Sequence, residues 1–170
     1  MTFAQNFEPL DPKSHAIKKF DCGIDEMNKF MKKFAQKHAK QGISKTMVLT
    51  ANEYYSDKKE IAAYYTLSAS TVKRKDIPST SLPIYPIPVT MLARLAVDQK
   101  FQSKKIGTKS LIYALRHAVK LNDLGLATHG LILDALDDRA LQFYQKFDFF
   151  HPFPGNPLRL FVSMAEIRKI

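Results

Sequence analysis

The chain has 170 residues, 45% of them hydrophobic, enough for a core that requires no disulfide or metal staple. Its one cysteine, Cys22, excludes an internal disulfide and fits a reducing compartment. Twenty-six Lys and Arg against sixteen Asp and Glu give a net charge of +10. Such a field attracts polyanions (nucleic acid, an anionic membrane face, a phosphate-rich ligand), although a lysine-rich surface also serves solubility. No basic run leading into an apolar one opens the sequence, and no uncharged apolar run reaches the length of a membrane span. A cytoplasmic protein without a membrane partner is expected. No repeat, low-complexity segment or linker divides the chain, so residues 1–170 are expected to form a single domain.

In chain order, residues 5–10 read as a short first strand ended by Asp11-Pro12. From 25 to 40, Met27, Phe30, Met31, Phe34 and His38 recur at helical spacing, with Asp25 as N-cap and Gly42 as stop. Segments 45–52 and 60–72 read as strands across the polar turn 55–59. Pro78, Pro83, Pro86 and Pro88 precede an apolar strand at 89–97, and a helical pattern follows over 105–121. Leu131-Ile132-Leu133 reads as a short buried strand. Asp137 or Asp138 then caps a helix whose inner stripe is Ala140, Phe143, Tyr144 and Phe147. Two last strands, 149–153 and 158–164, flank Pro154-Gly155-Asn156-Pro157. The alternation gives a mixed α/β (α+β) layer fold.

The unit that carries chemistry is a strand, a basic polar loop and a helix: Leu92 to Val97, then Asp98 to Gly107. A helix start offers unpaired N–H groups and a positive dipole end, which suits phosphate. Gly107 allows close backbone approach, and Lys100, Lys104 and Lys105 add charge. An ordinary strand-to-helix turn with solvated lysines fits these residues equally well. Elsewhere His15, His38, His117, His129 and His151 show no metal-ligand spacing, and Cys22 reads as a small core residue. No metal is expected.

The loop resembles the pyrophosphate loop of the GNAT acetyltransferase superfamily, Arg/Gln-x-x-Gly-x-Gly/Ala after a strand ending near Leu-Ala-Val. Gln102 matches its first position and Gly107 its last, and Lys105 stands where the first glycine is usual. Ala135 to Phe149 is similar to the later Ala-x-x-Phe-Tyr-x-x-Phe-Gly-Phe motif, with Asp148 in the glycine position. Phe20-Asp21-Cys22-Gly23, leading to Met27, Asn28, Phe30 and Ala35, resembles the opening of GNAT toxins of toxin–antitoxin modules. These likenesses run from about residue 7 to 164 in the family's order and spacing.

The resemblance implies the GNAT fold, a mostly antiparallel sheet flanked by helices with splayed central strands. It implies acetyl-CoA as co-substrate, held by Leu95, Ala96, Val97, Gln102, Ser103, Lys104, Lys105, Ile106, Gly107 and Thr108. An N–H near Val97 would polarise the thioester carbonyl for direct attack by an amine, and Tyr144 would protonate the leaving sulfur. Without the resemblance, Tyr144 reads as a core aromatic beside Phe147. The toxin-like opening implies the α-amine of an aminoacyl-tRNA as acceptor, a small ribbon–helix–helix antitoxin as partner and a homodimer. Lys29, Lys32, Lys33, Lys37 and Lys40 fall opposite the apolar stripe of 25–40, and Arg74 and Arg94 lie farther along the chain. Lys29, Lys33, Lys37, Arg74 and Arg94 are the candidate RNA contacts, although a solvated helix face looks the same. The alternatives are acetylation of a protein or small-molecule amine, and a module that binds CoA or RNA without turnover.

Overall fold

The computed structural model describes residues 2–78 and 81–170. In chain order these form β1 (Glu8–Pro9), α1 (Asp25–Lys29), a π-helical segment (Phe30–Phe34), α2 (Ala35–Lys40), β2 (Lys45–Tyr55), β3 (Lys58–Val72) and β4 (Ile87–Val97). There follow α3 (Ile106–Asp123), β5 (Gly130–Asp134), α4 (Asp138–Gln145), β6 (His151–Phe153), β7 (Asn156–Ser163) and α5 (Met164–Ile167). They gather into two compact units, residues up to Ser68 with Arg94–Ala114, and Ala69–Ala93 with Leu115–Ile170.

In the first unit the strand order is β1-β2-β3-β4. Strands β2 and β3 form a hairpin from Lys45↔Leu67 to Tyr55↔Lys58. Its two-residue loop, Ser56 at φ 49° and Asp57 at φ 67°, has the twist that the primed hairpin turns require. The first strand is shorter than the 5–10 expected. The carbonyl of Gln5 and the side chain of Asn6 instead accept from the Tyr113 hydroxyl at 2.7 and 2.6 Å. Phe20, Met27, Phe30, Met31, Val48, Ile61 and Tyr64 share one core cluster with Cys22, which is 5% exposed. The Tyr64 hydroxyl donates to the Met27 carbonyl at 2.8 Å and so ties α1 to β3.

The helical stretch 25–40 departs from its expected form in two ways. Asp25 is its first residue, not its cap. Ile24 stands before it without a side-chain cap, and Asp25 and Glu26 complement the N-terminal dipole. The turn Phe30–Phe34 is π-helical, and its wider winding shifts the phase of everything after it. Phe34 is therefore turned outward, 37% exposed, and Ala35 takes the buried place at 1%. Gly42 ends the stretch as expected, at φ 73°.

In the second unit the order is β3-β4-β5-β7-β6. Strands β4 and β5 are parallel in the register Thr90↔Leu131 to Leu92↔Leu133, after which β4 continues to Val97. Strand β5 pairs antiparallel with β7 from Gly130↔Ser163 to Asp134↔Arg159. Val72, Ile77, Ile87, Val89, Ile132, Phe153 and Phe161 form the core here. The Asp137 carboxylate accepts from the Ala140 N–H at 2.8 Å, which selects it over Asp138 as the cap of α4. The pairs β1–β2, β2–β3, β5–β7 and β6–β7 are antiparallel and β4–β5 is parallel, and helices flank them, which is the mixed, mostly antiparallel sheet that the sequence led us to expect.

Candidate functional site

In the first unit, β4 delivers the chain to the loop. Leu95 and Val97 are half-buried and Ala96 is buried. The Asp98 N–H donates to the Ala62 carbonyl of β3 at 2.8 Å. Successive N–H groups of an extended strand point to opposite edges, so the Val97 N–H faces the edge that β3 does not cover. The Gln102 side-chain amide donates to the Val97 carbonyl at 2.9 Å and the Cys22 carbonyl at 3.3 Å. Gln102, the first residue of the loop motif, thus fixes the end of the strand.

Residues Gln102 to Lys105 are exposed, Ile106 is buried, Gly107 half-buried and Thr108 exposed. Ser103 at φ 65° and Lys105 at φ 61° are both left-handed. Lys105 therefore keeps the backbone shape for which glycine is the ordinary choice, and Asp148, the other departure, has no positive φ and needs no glycine. Helix α3 starts at once: the Lys109 N–H donates to the Lys105 carbonyl at 3.1 Å. The first N–H groups of this 18-residue helix lack partners within it and follow directly on the two left-handed loop residues, an arrangement that suits a pyrophosphate.

Lys105→Gly is expected to preserve the loop. It removes a left-handed cost of about 1–2 kcal/mol and adds about 0.4–1 kcal/mol of unfolded-state entropy, so stability rises slightly or stays level. Thermal melts and acetyl-CoA titration check this. A clear loss of stability would show that the Lys105 side chain does more than tolerate its conformation.

Of the loop lysines, Lys104 and Lys105 are exposed, but Lys100 is committed elsewhere. Its ammonium meets Glu53 at 2.7 Å and Glu60 at 3.1 Å, and these hydrogen bonds raise its pKa. The charge that sequence reading credited to the loop is smaller by that residue.

In the second unit, Tyr144 is buried on α4, its ring against Phe143 at 5.1 Å and Phe150 at 5.9 Å. Among the described residues no group hydrogen bonds its hydroxyl. Burial pushes its pKa above the ordinary value of 10.0, so the phenol stays protonated at neutral pH. Phe143, Phe147, Phe149 and Phe150 continue the aromatic packing around it.

The cationic candidates divide. Lys29, Lys33 and Lys37 are exposed on α1, the π-helical segment and α2, as are Lys32 and Lys40. Arg94 is half-buried, with its guanidinium 4.3 Å from the centre of the Phe30 ring and 3.6 Å from the Glu26 carboxylate. Arg74, in the second unit, donates to the Leu82 carbonyl at 3.0 Å and braces its own loop. Both arginines thus have structural partners besides any RNA. Among the described residues no cluster of His, Cys, Asp and Glu is placed to hold a metal, and no helix is long and apolar enough to cross a membrane.

Residues 57–149 match the Acetyltransferase (GNAT) family. The chain belongs to this family. It is an acetyltransferase, and the GNAT pyrophosphate loop and tyrosine helix both lie inside the matched range. The chain is 29% identical to a tRNA-acetylating toxin of Mycobacterium tuberculosis, over 91% of its length and 89% of the relative's. It is also similar to AtaT complexed with acetyl-methionyl-tRNAfMet, at 26% identity and a TM-score of 0.85, covering 99% and 98% of the two chains. A third likeness is to an AtaT mutant toxin bound to the C-terminus of the antitoxin AtaR and acetyl-CoA, at 25% identity, a TM-score of 0.80 and 96% of each chain.

Sequence reading named Asp21, Asn28 and Asp98 but gave none of them a role at the GNAT loop, where their hydrogen bonds meet. The signal was present for one of them, because Asp98 directly follows the strand and caps the 3-10 turn Gln99–Phe101 by accepting from the Lys100 N–H.

Proposed function

We propose that this acetyltransferase moves the acetyl group of acetyl-CoA to the α-amine of an aminoacyl-tRNA, blocks translation by doing so, and serves as the toxin of a toxin–antitoxin pair. The observation that carries the reading is the joint presence of a family loop, a buried protonated tyrosine and an exposed lysine run on the toxin-like opening. The similarity to tRNA-acetylating proteins supports the acceptor.

The residues fit acetyl-CoA: an uncovered strand edge at Val97, two left-handed loop residues and a long helix beginning at Ile106. In this reading Leu95, Ala96 and Val97 hold the pantetheine arm, and the backbone from Gln102 to Thr108 holds the phosphates. Acetyl-CoA supplies an activated thioester. The Val97 N–H would polarise its carbonyl, the amine would attack directly and release its surplus proton to water, and the Tyr144 hydroxyl would give its proton to the departing sulfur and recover one from solvent. An aminoacyl ester lowers the basicity of its α-amine, which reduces the need for a dedicated base. Lys29, Lys33 and Lys37 take the RNA backbone, and Arg94, steadied by Phe30 and Glu26, and Arg74 supplement them. The assembly we propose is a single-domain subunit in a cytoplasmic homodimer, neutralised by a small ribbon–helix–helix antitoxin.

The test is label transfer from radiolabelled acetyl-CoA to charged tRNA, deacylated tRNA, polyamines and peptides in parallel. Label on charged tRNA alone is expected. Label on polyamines or peptides in its place would move the acceptor to those amines, and no transfer to any amine would leave a binding module.

A further inference from the structure

The turn Asp21-Cys22-Gly23, together with Asn28 of α1, makes a dense hydrogen-bonded joint with the acetyl-CoA loop. Its centre is the Asp98 carboxylate, in a residue only 8% exposed. One oxygen accepts from the Asp21 N–H at 2.9 Å and the other from the Lys100 N–H at 2.9 Å. The Gln99 N–H returns to the Asp21 carbonyl at 2.9 Å. The Gln102 amide spans the Cys22 and Val97 carbonyls. Gly23, at φ 85°, sits so close that a Cβ there would lie 2.3 Å from the Gln99 side-chain nitrogen.

Asn28 holds the far side of this joint. Its carbonyl oxygen accepts from the Cys22 N–H at 2.9 Å, and its NH2 donates to the Asp21 carboxylate at 2.8 Å. The Gly23 N–H donates to the same Asp21 oxygen at 2.9 Å. The Gly23 and Asn28 hydrogen bonds hold Asp21 ionised by lowering its pKa. The path from α1 to the Val97 carbonyl is therefore a chain of short polar contacts through atoms of fixed direction. Packing alone would permit the loop to shift by fractions of an ångström; these bonds set its direction.

We propose that Asn28 and Asp21 are positioning residues for acetyl-CoA: through Asp98 and Gln102 they fix the strand end and loop that receive the co-substrate. This rests on the assignment of that loop to acetyl-CoA. Neither residue acts on the reacting atoms, so the effect falls on affinity and not on the chemical step.

The test measures acetyl-CoA binding by calorimetry, together with kcat, KM and the melting temperature, for the wild type, Asn28→Ala and Asn28→Asp. Asn28→Ala removes two hydrogen bonds, and Kd and KM for acetyl-CoA are expected to rise about tenfold with kcat within about twofold. Asn28→Asp keeps an acceptor for the Cys22 N–H but sets a second carboxylate against Asp21, so its binding is expected to be at least as weak. Asn28→Asp binding like the wild type, or Asn28→Ala binding within about twofold of it, would overturn the proposal. So would a loss of binding that merely follows a collapsed melting temperature in both variants. A wild type that does not bind acetyl-CoA would instead refute the assignment of the loop itself.

Discussion

Tyr144→Phe is expected to lower kcat by about 100- to 10,000-fold while leaving the fold and the affinity for acetyl-CoA unchanged. The ring keeps its edge-to-face contacts with Phe143 and Phe150, and the lost hydroxyl has no protein partner among the described residues. The change therefore removes a proton donor without leaving a buried group unsatisfied, and stability has little reason to fall. Single-turnover rates with calorimetric titration of acetyl-CoA separate the two effects. Full turnover in the variant would return Tyr144 to the role of a core aromatic, which is what its place in the stripe suggests locally.

The same residue predicts a pH profile. A phenol raised above its ordinary value is protonated, and competent as an acid, throughout the range below it. It loses that competence only as pH rises through the raised value. Turnover is thus expected to show no alkaline limb from Tyr144 below pH 10.0. A falling limb centred well below that, present in the wild type and absent from the residual activity of Tyr144→Phe, would keep Tyr144 as the acid but contradict its raised pKa.

The second large effect concerns the acceptor. Replacing Lys29, Lys33 and Lys37 together by alanine is expected to weaken acceptor binding by about 10- to 100-fold at low salt and to reduce the salt slope of log KM by about three. Acetyl-CoA affinity should hold, because among the described residues no hydrogen bond or ion pair joins these side chains to the loop. All three are exposed, so the fold should hold as well. The salt slope distinguishes RNA docking from a solvated helix face. If charged tRNA is acetylated with an unchanged KM and slope, the lysines serve solubility and the RNA lies elsewhere.

How much of this was legible in the sequence differs from element to element. The loop, the tyrosine helix and the order of strands follow from local patterns: apolar alternation, a run of lysines after a strand, an Asp at a helix start. The π-helical turn did not, because Met27, Phe30, Met31 and Phe34 fit an ordinary 3.6-residue repeat, and the added residue per turn leaves no mark on that spacing. Lys105 and Asp148 each replace a family glycine, and sequence could not distinguish them. One keeps the left-handed conformation and the other has no need of it. Lys100 and Arg94 look like unpaired cations in sequence, yet their partners Glu53, Glu60 and Glu26 lie 40 to 68 residues away along the chain. Asp21 and Asn28 were in view as part of a resemblance, but their purpose depends on a turn meeting a strand end 77 residues later.

The central claim is that the acetyl group ends on the α-amine of the amino acid that a tRNA carries. The most direct measurement treats the labelled RNA product with mild alkali, which cleaves the aminoacyl ester, and identifies the released compound by chromatography and mass spectrometry. The account predicts that all label leaves the RNA as an N-acetyl amino acid. Label that stays on the RNA after the ester is cut, or a released amino acid acetylated only on its side chain, would contradict it.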